Sequence, residues 1–168
     1  MFDGEFVDGV KHGSGTQRFN DGSSYVGSLS MGLFDGYGEY TCCTGDVFKG
    51  KFKNGKKEGE GKLFYRDGST FEGCWRNDVR QEGPGAYRAE NGDTYVGTFS
   101  RSGLYDGHGV FERADGDRYE GAFSKGVKEG QGVMHYHTGD VYKGEWSKNA
   151  KVGGYYRIII TRLFWSVC

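Results

Sequence analysis

The chain has 168 residues, of which 35% are hydrophobic, and 32 glycines with a single proline. So lean an apolar fraction excludes a thick globular core, while 16% aromatic residues and the near absence of proline exclude a disordered linker. Twenty-two basic residues against 23 acidic ones give a net charge of -1, which excludes a global field drawing the protein to nucleic acid or to anionic membrane.

In chain order, the first element is Phe2-Gly4-Phe6, an aromatic, a glycine and an apolar residue at alternate positions. Such a period of two predicts a strand with one face turned to a core. A turn at Gly9 leads to a second strand marked by Gly13 and Gly15, and Asp21-Gly22 turns the chain again. The same order recurs every 23 or 24 residues. Units are predicted over 2–24, 25–47, 48–70, 71–94, 95–118 and 119–141, with a partial seventh over 142–154 and a divergent tail over 155–168. The openers are Phe2, Tyr25, Phe48, Phe71, Tyr95, Tyr119 and Tyr142, and the glycines leave room beneath their rings. Extra residues fall near Val79 to Glu82 and near Ser102-Gly103. Tight turns between successive strands predict antiparallel pairing in an all-β, open, single-layer ribbon. About thirteen strands spaced ~4.8 Å apart would make it roughly 60 Å long. A propeller blade needs about twice the period, and a closed barrel is the other alternative.

The glycines therefore read as a structural ruler. NGKKEGEGKLFY (residues 54–65) looks like a phosphate loop, but five residues separate Gly55 from Gly61, and Leu63 stands where a hydroxyl should follow the lysine. No nucleophile signature is present, so neither catalytic residues nor a cofactor are expected. His135 and His137 alternate on one strand, yet Glu112, at the unit position of His135 one repeat earlier, lies about 9.5 Å off, too far for a shared metal. Cys42, Cys43, Cys74 and Cys168 make no CxxC or disulfide framework, and no leader pattern precedes the first unit, which predicts a reducing, cytoplasmic setting.

The pattern in YEGAFSKGVKEGQGVMHYHTGDVYKG (residues 119–144) resembles the MORN repeat, the membrane occupation and recognition nexus motif. The resemblance implies a tandem β-hairpin ribbon with an aromatic groove that docks protein segments, helices included, and association with cytoskeleton or membrane. It also implies a module that can be appended to enzymes such as phosphatidylinositol-phosphate kinases. Asp78 in place of a turn glycine, and Cys42 and Arg113 at an aromatic position, depart from the pattern.

Three sets of candidate contacts follow. Tyr25, Phe48, Phe71, Tyr95, Tyr119 and Tyr142 would line the protein-binding groove. Leu33, Phe34, Leu104 and Tyr105, large and apolar in hairpin turns, would add exposed docking tips or fold back on the ribbon. Lys49, Lys51, Lys53, Lys56 and Lys57 make the third unit locally basic, a contact for anionic phospholipid in a second reading. The leading expectation is a non-catalytic scaffold with protein partners. End strands could pair between copies, and nucleic acid is not expected because the aromatics belong to the core face.

Overall fold

The computed structural model describes residues 1–152; the tail and the last two glycines of the seventh unit lie outside the described residues. Fifteen strands, numbered β1 to β15 in chain order from β1 (Phe2–Val7) to β15 (Ala150–Val152), form one open antiparallel sheet. Each strand neighbours the next in sequence. The exception is at β7 (Thr70–Arg76), which pairs with both the two-residue β8 (Val79–Arg80) and β9 (Gly83–Arg88). That interruption falls where the fourth unit carries its extra residue. The expected all-β ribbon is thus present, with two more strands than the repeat count implied.

Register is held by glycine. Gly4 faces Gly15, Gly15 faces Gly27, Gly27 faces Gly38, and the pairing continues through Gly50, Gly61 and, further on, Gly97, Gly109, Gly121, Gly132 and Gly144. The opener of each unit lies across this stripe. A Cβ at Gly38 would overlap the Tyr25 ring, and one at Gly61 would overlap Phe48. A side chain there would evict the ring, so the glycines act as seats.

The hairpin tips use backbone that few residues tolerate. Asp8-Gly9, Met31-Gly32, Asn54-Gly55 and Lys125-Gly126 place both residues at positive φ, the pattern of a type I′ turn. Asp78 replaces the tip glycine yet adopts φ 68°, as does Asn149 in the last unit, so the departure from the repeat pattern leaves the turn intact. Short Asp and Asn side chains are among the few that tolerate this region.

The core is one face of the sheet. In the third to seventh units the ring two residues past the opener's glycine meets its own opener and the opener before it edge-on: Phe52 lies 5.3 Å from Phe48 and 5.2 Å from Tyr25, and Trp146 lies 5.4 Å from Tyr142 and 5.2 Å from Tyr119. Edge-to-face contacts run unbroken from Tyr25 to Trp146 through Trp75, Phe99 and Phe123. Each such pair contributes about 0.5–1.5 kcal/mol beyond burial, which is how a single layer holds together without a second one.

Candidate functional site

The six openers expected to line a groove are 0–3% exposed, so their rings form the floor and cannot themselves be the contact surface. The cause is the seat and the chain of rings: each opener has a glycine beneath, at least one ring edge beside it and a lid above. Four of them also use their hydroxyls internally. Tyr25 donates to the Ser28 carbonyl at 2.8 Å, Tyr95 to Thr98 at 3.0 Å, Tyr119 to Ala122 at 3.0 Å and Tyr142 to Glu145 at 3.1 Å. In the second, fifth and sixth units the carbonyl belongs to a residue skipped by a β-bulge in the ladder, so the phenol satisfies a group the sheet leaves free. Burial pushes the Tyr25, Tyr95 and Tyr119 phenols up to about 12.

The lids come from the beginning of the return strand, from its second residue in every unit but the fifth, where Tyr105 is the first. They are Lys11, Phe34, Lys57, Arg80, Tyr105, Lys128 and Lys151, one per unit. Phe34 stacks on Tyr25 with centroids 3.7 Å apart, and Tyr105 on Tyr95 at 3.8 Å. Elsewhere the lid is a cation: Lys57 lies 4.9 Å over Phe48 and 5.1 Å over Trp75, Lys128 4.8 Å over Tyr119 and 5.0 Å over Trp146. Lys11, Arg80 and Lys151 cover Phe2, Phe71 and Tyr142 in the same way. The repeat position was visible in the sequence; its shared task was not, because lysine, arginine, phenylalanine and tyrosine share no hydropathy.

The apolar tip pairs divide. Phe34 and Tyr105 fold back as lids, whereas Leu33 and Leu104 remain 48% and 45% exposed at the rim. Leu33 packs toward Gly55 and Leu104 toward Gly126, the tip glycines of the following units. The basic third unit divides too. Lys49, Lys51 and Lys53 lie on the face opposite the rings, Lys56 at the tip, and Lys57 on the ring face. Lys49 pairs with Glu39 at 2.7 Å and Lys53 with Asp35 at 3.1 Å, so the expected basic patch is split and partly neutralised.

The ring face opens at the fourth unit. There Arg80 stacks 3.8 Å over Phe71 and donates through Nη2 to the Tyr65 hydroxyl at 3.0 Å. Beside it a cleft of about 480 Å³ is lined by Tyr65, Arg80, Tyr87, Phe99, Leu104 and Tyr105. The return strand of this unit is interrupted between β8 and β9. Burial pushes Tyr105 up to about 12 and raises Tyr65, against the pull of Arg80. Three phenols and a guanidinium around apolar walls can receive side chains and bond to a peptide backbone.

Among the described residues one group could gather metal ligands, Asp115, Asp117 and His137, whose ligand atoms lie within 4.8 Å of one another. It includes neither His135 nor Glu112. Asp117 accepts from the backbone N–H of His137 at 2.9 Å and contacts its ring Nδ1 at 2.8 Å, which clasps one turn to the next. Asp93 does the same to Ala114 and Asp46 to Arg66, so the arrangement recurs as a structural clasp.

The MORN-repeat family model matches residues 2–24, 25–47, 48–70, 71–94, 95–118, 119–141 and 142–153. The chain belongs to the MORN-repeat family. Comparison with curated proteins gave no match. Among solved structures, this MORN ribbon is similar to the TCP domain of SAS-4 (dCPAP) of Drosophila melanogaster, solved in complex with a proline-rich motif of Ana2 (dSTIL). The identity is 11% and the TM-score 0.52, over 80% of this chain and 72% of that one. The wild-type TCP10 domain of Danio rerio CPAP, in complex with a peptide of STIL, aligns at 16% identity and TM-score 0.21 over 86% of this chain and 84% of that one. At these identities the likeness to the Drosophila domain is one of fold. No helix among the described residues is long and apolar enough to cross a membrane.

Proposed function

We propose that this MORN ribbon is a non-catalytic docking scaffold whose ring face receives an extended protein segment at the cleft of the fourth and fifth units. The observation that carries this reading is the cleft: it is the place where tyrosine faces, Leu104 and a guanidinium converge beside the buried ring chain. Tyrosine and arginine dominate binding energy at protein interfaces. An extended, proline-rich segment suits it better than a helix, because such a segment keeps its carbonyls exposed and can accept from the phenols. The proline-rich ligand of the Drosophila domain supports this by analogy of fold. Leu33 and Leu104 would contribute from the rim, and the openers from below as a rigid floor.

Selection of a displayed peptide library on the full chain tests the proposal. Sequences enriched on the wild type are expected to be lost on Tyr65→Ala/Tyr87→Ala and kept on the opposite-face variant Val96→Ser. Peptides that bind the Tyr65/Tyr87 variant equally well would remove the cleft from the proposal.

The phospholipid reading has less support, because the third-unit lysines lie on two faces and Lys49 and Lys53 are already paired. Attachment to a larger enzyme would leave the same face to do the targeting.

A further inference from the structure

The two faces of the ribbon treat their cations differently. On the face opposite the rings, Lys49, Lys53 and Lys62 each pair with a carboxylate, from Glu39, Asp35 and Glu72, while Lys51 lies 5.6 Å over the Tyr37 ring. On the ring face, none of the five cationic lids, Lys11, Lys57, Arg80, Lys128 and Lys151, makes an ion pair among the described residues. The turn carboxylates that border the face, such as Asp67 and Asp93, are engaged by backbone N–H groups of Ser69 and Ala114. Positive charge on the ring face is therefore held chiefly by aromatic quadrupoles. Lys128 is the sharpest case. Burial between its two rings lowers its pKa, and the charges of Arg113 and Lys151 add to this, against the opposing pull of Asp117. Among the described residues its ammonium finds one hydrogen-bond acceptor, the Met134 sulfur at 3.9 Å.

Successive lids are two strands apart, about 9.6 Å at the usual strand spacing. A polyproline II segment repeats every three residues, about 9.3 Å. The two periods nearly coincide.

We propose that the ring face reads an acidic extended segment, laid along the ribbon, whose carboxylates at every third residue meet successive lid cations. This rests on the docking reading above and names the chemistry of the partner. Lys57 to Lys151 spans four intervals, about 38 Å, so some thirteen residues would reach from one to the other. At the Tyr105 step, where the lid is aromatic, the segment would present an apolar residue or proline. A bilayer fits less well, because Lys57 and Lys128 are held down over buried rings.

The test uses the full chain and three fluorescent peptides of equal length, read by anisotropy. One repeats the triplet Glu-Pro-Pro, one repeats Gln-Pro-Pro, and a block peptide has the composition of the first with all its glutamates gathered at one end. The spaced acidic peptide should bind roughly tenfold more tightly than its glutamine analogue, with the margin shrinking as salt rises. It should also outbind the block peptide of equal charge. The variant Lys57→Met/Lys128→Met, which keeps an unbranched apolar cover over the rings, should lose the preference while its thermal melt confirms folding. The same substitutions should leave retention on phosphatidylcholine vesicles carrying phosphatidylserine unchanged.

Equal binding of the glutamate and glutamine peptides overturns the inference; if Tyr87→Ala weakens both, the docking reading survives without it. Equal binding of spaced and block peptides overturns the register. Loss of vesicle retention with peptide binding intact points to a membrane instead. If no peptide binds, the inference falls, and the library selection judges the docking reading separately.

Discussion

The second and fifth units differ from the third and sixth in the kind of lid they carry, and that difference separates what the fold needs from what it leaves free. In the former, Phe34 and Tyr105 stack nearly parallel on the openers, at interplanar angles of 9° and 14°. In the latter, Lys57 and Lys128 lie over the same kind of opener with a charged head. Backbone register is alike in both: Leu29 faces Phe34 and Phe52 faces Lys57. The fold requires that the opener be covered. A flat ring and an alkyl stem ending in a cation both meet that need, but only the second leaves charge on the ring face.

The largest effect should be the same in both regions. Gly38→Val and Gly61→Val place a side chain where the Tyr25 and Phe48 rings rest, so each should cost about 3–5 kcal/mol, the scale of losing a buried ring. Urea unfolding of the two variants checks this. A well-tolerated valine at either position would mean that the ring is not seated on its glycine.

The lids should then part company. Phe34→Ala removes a stacked ring and its edge contacts with Phe52 and Phe19, at a cost of about 2–3 kcal/mol. Lys57→Ala removes an alkyl cover and two cation–π contacts, about 1 kcal/mol. Phe34→Lys should fall between them, since it converts the second unit to the chemistry of the third. Equal losses for Phe34→Ala and Lys57→Ala would erase the distinction between the two kinds of lid.

Much of this was legible in the sequence. The period of 23 with aromatic-x-Gly openings predicts an antiparallel ribbon with rings over glycines, because strand alternation and volume act locally and every unit repeats them. Partition between floor and surface was not legible. Tyr25 and Phe34 are both large and aromatic, and only the register that puts one on the stripe and the other on top assigns them. The lid row was hidden for another reason: burial of an opener constrains the shape above it, and Lys57 and Tyr105 supply that shape with opposite hydropathy. In the basic third unit, alternation with Gly50 and Phe52 puts Lys49, Lys51 and Lys53 opposite the core, but the turn of Lys57 back over Phe48 is not written in the charge pattern. The cleft at Tyr65, Arg80 and Tyr87 gathers residues of neighbouring units beside a one-residue irregularity whose effect on pairing appears only when the strands are placed.

The smallest effects concern the openers themselves and sharpen the comparison from below. Tyr95→Phe keeps the ring and loses the bond to the Thr98 carbonyl, about 1 kcal/mol, whereas the third unit already has Phe48 in that role. Alkaline titration extends the same contrast. Tyr25, Tyr95, Tyr105 and Tyr119 are pushed up to about 12, mainly by burial, against an ordinary phenol value of 10.0. Their folded pKa lies above the unfolded one, so between about pH 10 and 12 the unfolded chain has released protons that the native ribbon retains, and stability falls as pH rises. The contribution is whole below about pH 10 and is lost through about pH 12. Phenolate absorbance from these four should therefore appear together with loss of the β-sheet circular dichroism signal. If these four phenols titrate near pH 10 with the sheet intact, the openers of the second, fifth and sixth units are not sealed. Replacing Tyr25, Tyr95 and Tyr119 by phenylalanine should shift the alkaline transition upward even as it lowers stability at neutral pH, because the ring remains buried and the proton to be lost does not.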